Sequence, residues 1–147
     1  MRLLLSILFL LLSQSILAQI KVPNIDTCRR FGIACSIDGA PEESIIQTVY
    51  LVNNLKKDQL LNWANSNNPQ NQIHGYVGLY FMNRNGLALT LEEKMLMKKI
   101  EQSDSLVDYC EGCGSQPKEK MSILLSKKRL MSYYAWYSKF GWKNMFK

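Results

Sequence analysis

The chain has 147 residues, 20% of them charged, and a formal net charge of +6 with one histidine. That length fits a single domain. The positive charge is local: Lys118 to Lys147 carries eight Lys or Arg against the one acid Glu119, whereas Gln19 to Pro117 has a net charge of −2. A protein basic throughout is therefore excluded, and one basic end is expected.

Residues 1–18 read as a cleavable signal peptide. Met1-Arg2 is a charged start, the run from Leu3 to Leu12 is apolar apart from Ser6, and Ala18 is a small residue at a plausible cut, although Ile16 stands two positions before it. The run is shorter than the roughly 20 residues that a membrane-spanning helix needs. Cys28 lies too far downstream for a lipid-anchored lipoprotein. Export to the periplasm or the exterior is the expectation, and it removes nucleic acid from the expected partners.

Residues 19–40, with Pro23, Gly32 and Gly39, are expected to be irregular. They hold the first two of four cysteines, Cys28 and Cys35; Cys110 and Cys113 form the second pair. In an oxidising compartment an even set reads as disulfides. Local pairing, Cys28 with Cys35 and Cys110 with Cys113, assumes no tertiary arrangement. Linking the first pair to the second would instead tie the N-terminal segment down.

Residues 41–147 read as an all-α domain of about five helices, with no segment alternating at period two. Pro41-Glu42-Glu43 opens the first helix, with Ile45, Val49 and Val52 on one face, broadened by Ile46, Tyr50 and Leu55. Asp58 is expected to cap a second, carrying Leu60, Leu61 and Ala64. Asn68-Pro69 starts a third, with Ile73, Tyr76, Val77, Tyr80 and Phe81 at helical spacing, and Asn85-Gly86 stops it. Thr90-Leu91-Glu92-Glu93 matches a capping box for a fourth, carrying Leu91, Met95, Leu96 and Ile100. A turn from Ser105 to Tyr109 leads to the second cysteine pair, and a last helix is expected from about Glu119 to Phe140.

The stretch from Asn67 to Phe81, a polar turn with Pro69 followed by a helix with Gly75 and Gly78 one turn apart, resembles the inner half of a HEAT-like helical repeat. The resemblance covers Lys57 to Phe81 and the helix after Thr90. The Arg or Lys usual early in the second helix is absent, and Gln72 stands near its place. The resemblance implies antiparallel helix pairs and a binding role rather than catalysis.

No catalytic set stands out. Cys110-Glu111-Gly112-Cys113 has the spacing of a redox pair, the weak catalytic candidate of the chain, but no preceding strand is expected and Glu111 would raise a neighbouring thiol's pKa. Four cysteines could hold zinc, yet the six residues between Cys28 and Cys35 exceed the usual spacing. Haem attachment would need His where Gly114 stands. No metal or cofactor is expected. His74 reads as a surface or satisfied core imidazole, and Glu42-Glu43 and Glu92-Glu93 as partners of helix dipoles.

The C-terminal stretch is the most distinctive. Lys127-Lys128-Arg129 precedes Tyr133, Tyr134, Trp136, Tyr137, Phe140, Trp142 and Phe146. From Leu130 to Tyr137 it is apolar almost all round, which suits the central helix of the domain. The alternative is a basic aromatic face for an acidic protein partner or a membrane surface, with Lys127, Lys128, Arg129, Tyr133, Trp136, Tyr137 and Trp142 as the contact residues. Taken together the expectation is an exported, non-enzymatic helical module that binds another protein, with an immunity-type inhibitor of an exported toxin as one version. A thiol–disulfide enzyme is the rival.

Overall fold

The computed structural model describes residues 30–33, 41–111, 114–115 and 118–140. The expected signal peptide, Cys28, Cys35, Cys113 and Trp142 lie outside the described residues. Six α-helices account for most of what is described: α1 (Glu43–Asn53), α2 (Lys57–Ala64), α3 (Pro69–Arg84), α4 (Leu91–Glu101), α5 (Met121–Leu124) and α6 (Lys127–Tyr137), the last running into a 3-10 turn at Ser138–Phe140.

The expectation of a strand-free chain is corrected in detail. Among the described residues are β1 (Phe31–Ile33), β2 (Leu106–Val107), β3 (Tyr109–Glu111), β4 (Gly114–Ser115) and β5 (Glu119–Lys120). β1 pairs in parallel with β3, β3 in antiparallel with β4, and β2 in antiparallel with β5. Strands of two or three residues are too short to show alternation, so periodicity leaves them unmarked. The segment 19–40 is thus not wholly irregular, and Ser105 to Tyr109 is not a simple turn. Gly32, at φ +150°, explains why β1 can approach β3: a Cβ there would stand 1.9 Å from the carbonyl oxygen of Cys110.

Helix α3 is the centre of the fold. From Gln70 to Met82 it is buried except for half-buried Gln72 and Tyr80. Asn68 caps it by accepting from the Gln70 amide at 2.9 Å, and Pro69 fills its first turn, as the sequence suggested. Its small residues set the packing against α2. A Cβ on Gly75 would lie 2.3 Å from the Ala64 nitrogen and 2.6 Å from the Leu60 oxygen, so the two backbones touch; at Gly78 the obstacle is the Leu60 side chain.

The capping box of α4 is present, with Glu93 and Thr90 bonded reciprocally. Other local expectations shift. Helix α1 begins at Glu43, with Pro41 before it rather than at its first helical position, and Asp58 sits in the first turn of α2 rather than capping it. Ile46, Leu55, Leu91 and Met95 are solvent-exposed rather than core-facing.

The single C-terminal helix is a further correction, because the chain breaks at Leu125-Ser126, where Ser126 is extended. At 3.6 residues per turn, Met121, Leu124 and Leu125 would point roughly 150° away from Leu130, Tyr133 and Tyr137 on one continuous helix. All six are buried, and only a break turns both sets inward.

Candidate functional site

Helix α6 does not occupy the centre. It lies over β1 and the end of α3, with Leu130, Tyr133 and Tyr137 facing the core. The Tyr133 ring meets Phe31 edge-on with centroids 4.8 Å apart, and Tyr137 meets Phe81 at 5.8 Å. Tyr134 donates to the Asn85 side chain at 3.1 Å while Arg84 rests over its ring at 4.9 Å. These contacts fix the angle of α6 and leave its basic first turn beside the small sheet.

A groove of about 250 Å³ results, lined by Ile33, Tyr109, Lys128, Arg129, Ser132 and Tyr133. Its floor is aromatic and aliphatic, and its rim is cationic. The Arg129 guanidinium sits 5.0 Å from the centre of the Tyr109 ring, a cation–π contact that holds the planar donor in place. Lys127 and Lys128 are exposed, and no acidic side chain pairs with either among the described residues. Lys128 beside an apolar floor, with Lys127 next to it, can receive a carboxylate and its neighbouring apolar side chain.

The structure divides the residues proposed from sequence. Lys128 and Arg129 line the groove, and exposed Lys127 precedes them on α6. Tyr133 contributes only to its floor, 1% exposed, and Tyr137 is fully buried. Both belong to the core, because their rings fill the space between α6, β1 and α3, so neither is an exposed docking residue. Trp136 is half-buried against the core, and Trp142 lies outside the described residues. Sequence reasoning missed Ile33, Tyr109 and Ser132. Only the parallel pairing of β1 with β3 brings the first two to α6, and nothing local marks that pairing.

Cys110 lies on β3, so a strand does carry the first cysteine of the pair, contrary to expectation. Its side chain is fully buried, with Sγ 3.6 Å from the Phe31 carbonyl oxygen. Among the described residues no cluster of three His, Cys, Asp or Glu side chains is placed to hold a metal ion, and no described helix is long and apolar enough to cross a membrane.

His74 is a core imidazole. It is 0% exposed, packed edge-on against Phe31 at 5.3 Å and Trp63 at 6.4 Å. Nε2 lies 3.3 Å from the Arg30 carbonyl oxygen and Nδ1 3.3 Å from the Thr48 hydroxyl. Burial lowers its pKa to about 4, the Arg30 carbonyl opposing that shift. The Thr48 hydroxyl gives its hydrogen to the Ser44 carbonyl rather than to the ring, no carboxylate bonds to the ring among the described residues, and a base of that pKa is neutral and weak. Two residues further along α3, the Tyr76 hydroxyl donates to Glu101, and burial pushes its pKa up.

Comparison with protein-family models, with curated proteins and with solved structures finds no match to this chain.

Proposed function

We propose that this protein is an exported, non-enzymatic helical module that binds an acidic segment of a partner protein in the groove beside α6. The carrying observation is Lys128 and Arg129 lining a groove with an aromatic floor, with exposed Lys127 next to them on α6 and neither lysine paired to an acid among the described residues. Charge complementarity supports the choice of partner, since Glu119 is the only acid in the basic stretch from Lys118 to Lys147. An inhibitor or immunity role is the version that a small scaffold of this kind suits. The close approach of α2 and α3 at Gly75 is what a HEAT-like helix pair calls for, and that architecture belongs to the same reading.

The stapled, exported part of the proposal draws on Cys110, whose side chain is fully buried. A bridge from Cys110 to Cys28, Cys35 or Cys113 suits an oxidising compartment. The same burial weakens the rival thiol–disulfide enzyme, which needs an accessible low-pKa thiolate.

The experiment is affinity capture from the exported fraction by the native protein and by a Lys127→Glu, Lys128→Glu variant. The expected result is a stoichiometric acidic partner whose binding weakens with salt and falls by about tenfold or more in the variant. A partner held equally by both proteins would overturn the groove. Binding to anionic vesicles instead of protein would overturn the partner class.

A further inference from the structure

We propose that His74 is a buried proton site that clasps strand β1 to the helices when neutral and releases it, opening the basic groove, when protonated. The inference rests on the groove reading and concerns its regulation.

The protons around the ring can be counted. The Arg30 carbonyl can only accept, so Nε2 carries the hydrogen that bonds to it. The Thr48 hydroxyl has one hydrogen, and it points to the Ser44 carbonyl at 2.7 Å. The contact between Nδ1 and the Thr48 oxygen, at 3.3 Å, then holds no hydrogen while the ring is neutral. Protonation supplies the missing one and completes a chain from Arg30 through the ring and Thr48 to Ser44.

That gain is set against burial of a full charge. Among the described residues no ionised group answers it: α1 presents Ser44 and Thr48, α2 presents Trp63, and β1 presents Phe31 and a backbone carbonyl. The Arg30 side chain is exposed, and no charged side chain contributes to the ring's titration. An imidazolium in these surroundings is stabilised by reaching water.

The cheapest route to water is through β1. Among the described residues β1 has three residues and a single strand partner, and its Phe31 lies directly on the imidazole. Short elements of this kind open at lower free energy than the core they cover. The same strand supplies Ile33 to the groove, and Phe31 supports Tyr133 at 4.8 Å. Lifting β1 therefore removes one wall of the groove and the support of its floor.

His74 is the only histidine, so one imidazole signal reports its state without assignment ambiguity. NMR titration is expected to show the Nε2–H tautomer at neutral pH and protonation well below the usual histidine range. Across that protonation the Phe31 amide, bonded to Asp108 at 2.8 Å, should lose hydrogen-exchange protection after correction for intrinsic rates, while α3 keeps its own. His74→Gln should abolish this pH dependence. Should Gln fold poorly, Thr48→Val serves instead: it removes the acceptor for the Nδ1 proton in the closed state, so the protonated ring is held less well and the loss of protection at low pH should deepen by up to about tenfold. An imidazole titrating near 6.5, or a Phe31 amide protected until α3 unfolds with it, would overturn the clasp. No partner enters these measurements, so they stand or fall separately from the capture experiment.

Discussion

Helices α3 and α6 lie side by side in the same core and are built on opposite plans. Helix α3 is enclosed on every side although it carries Gln70, Asn71 and His74, and its neighbour α2 touches it backbone to backbone at Gly75. Helix α6, crowded with aromatic rings, buries only Leu130, Tyr133 and Tyr137 and turns Lys127, Lys128, Met131 and Ala135 to solvent. The contrast teaches that apolar content does not choose the central helix. A helix becomes central when small residues let its neighbours close in around it. Large rings keep neighbours at ring distance and suit a helix with one face inward.

The largest expected effect tests that rule. Gly75→Ala places a methyl against the immovable backbone of Ala64 and Leu60, and should cost at least about 3 kcal/mol in urea unfolding. Gly78→Ala meets only the flexible Leu60 side chain and should cost about 1 kcal/mol. An equal cost at both positions would break the distinction between backbone and side-chain contact.

The second test is pH. The unfolded chain protonates His74 near 6.5 and the folded chain only near 4, so between these values the unfolded state binds more protons and stability falls as pH falls. The loss is at most about 3 kcal/mol, and smaller where opening of β1 relieves the charge first. Thermal unfolding of the parent and of His74→Gln between pH 7 and 4 isolates it, since the variant should lack this part of the slope.

The smallest effect belongs to α6. Met131→Lys, at a position 38% exposed, should change stability by less than about 0.5 kcal/mol in the same unfolding assay. A loss of several kcal/mol there would mean that α6 is enclosed after all.

Much of the helical skeleton was legible because its signals are local. The Asn68-Pro69 start of α3 and the Thr90–Glu93 box of α4 depend on residues within a few positions of one another, and both are formed. The basic end of the chain was legible for the same reason. What escaped was decided at long range. Periodicity assigns Leu91 and Met95 to an apolar face, but no element covers that face among the described residues, and Leu91 is 73% exposed. The groove's Ile33 and Tyr109 escaped because their neighbourhood exists only through a strand pairing across most of the chain. The break at Ser126 escaped because neither Gly nor Pro marks it; it follows from where the core lies.

The parallel pairing of β1 with β3 also has a consequence for how the molecule assembles. Phe31 meets Tyr109 across an interval that contains α1 to α4, so the closure entropy of that long loop must be met before a three-residue ladder returns anything. The helices, whose contacts are mostly between sequence neighbours, gain nothing by waiting for it. Assembly therefore runs from the middle outward, with the helical hairpin of α2 and α3 early and the N-terminal strand last. In rate measurements, substitutions at the α2–α3 contact should slow folding, whereas substitutions in β1 should leave the folding rate nearly unchanged and act on unfolding.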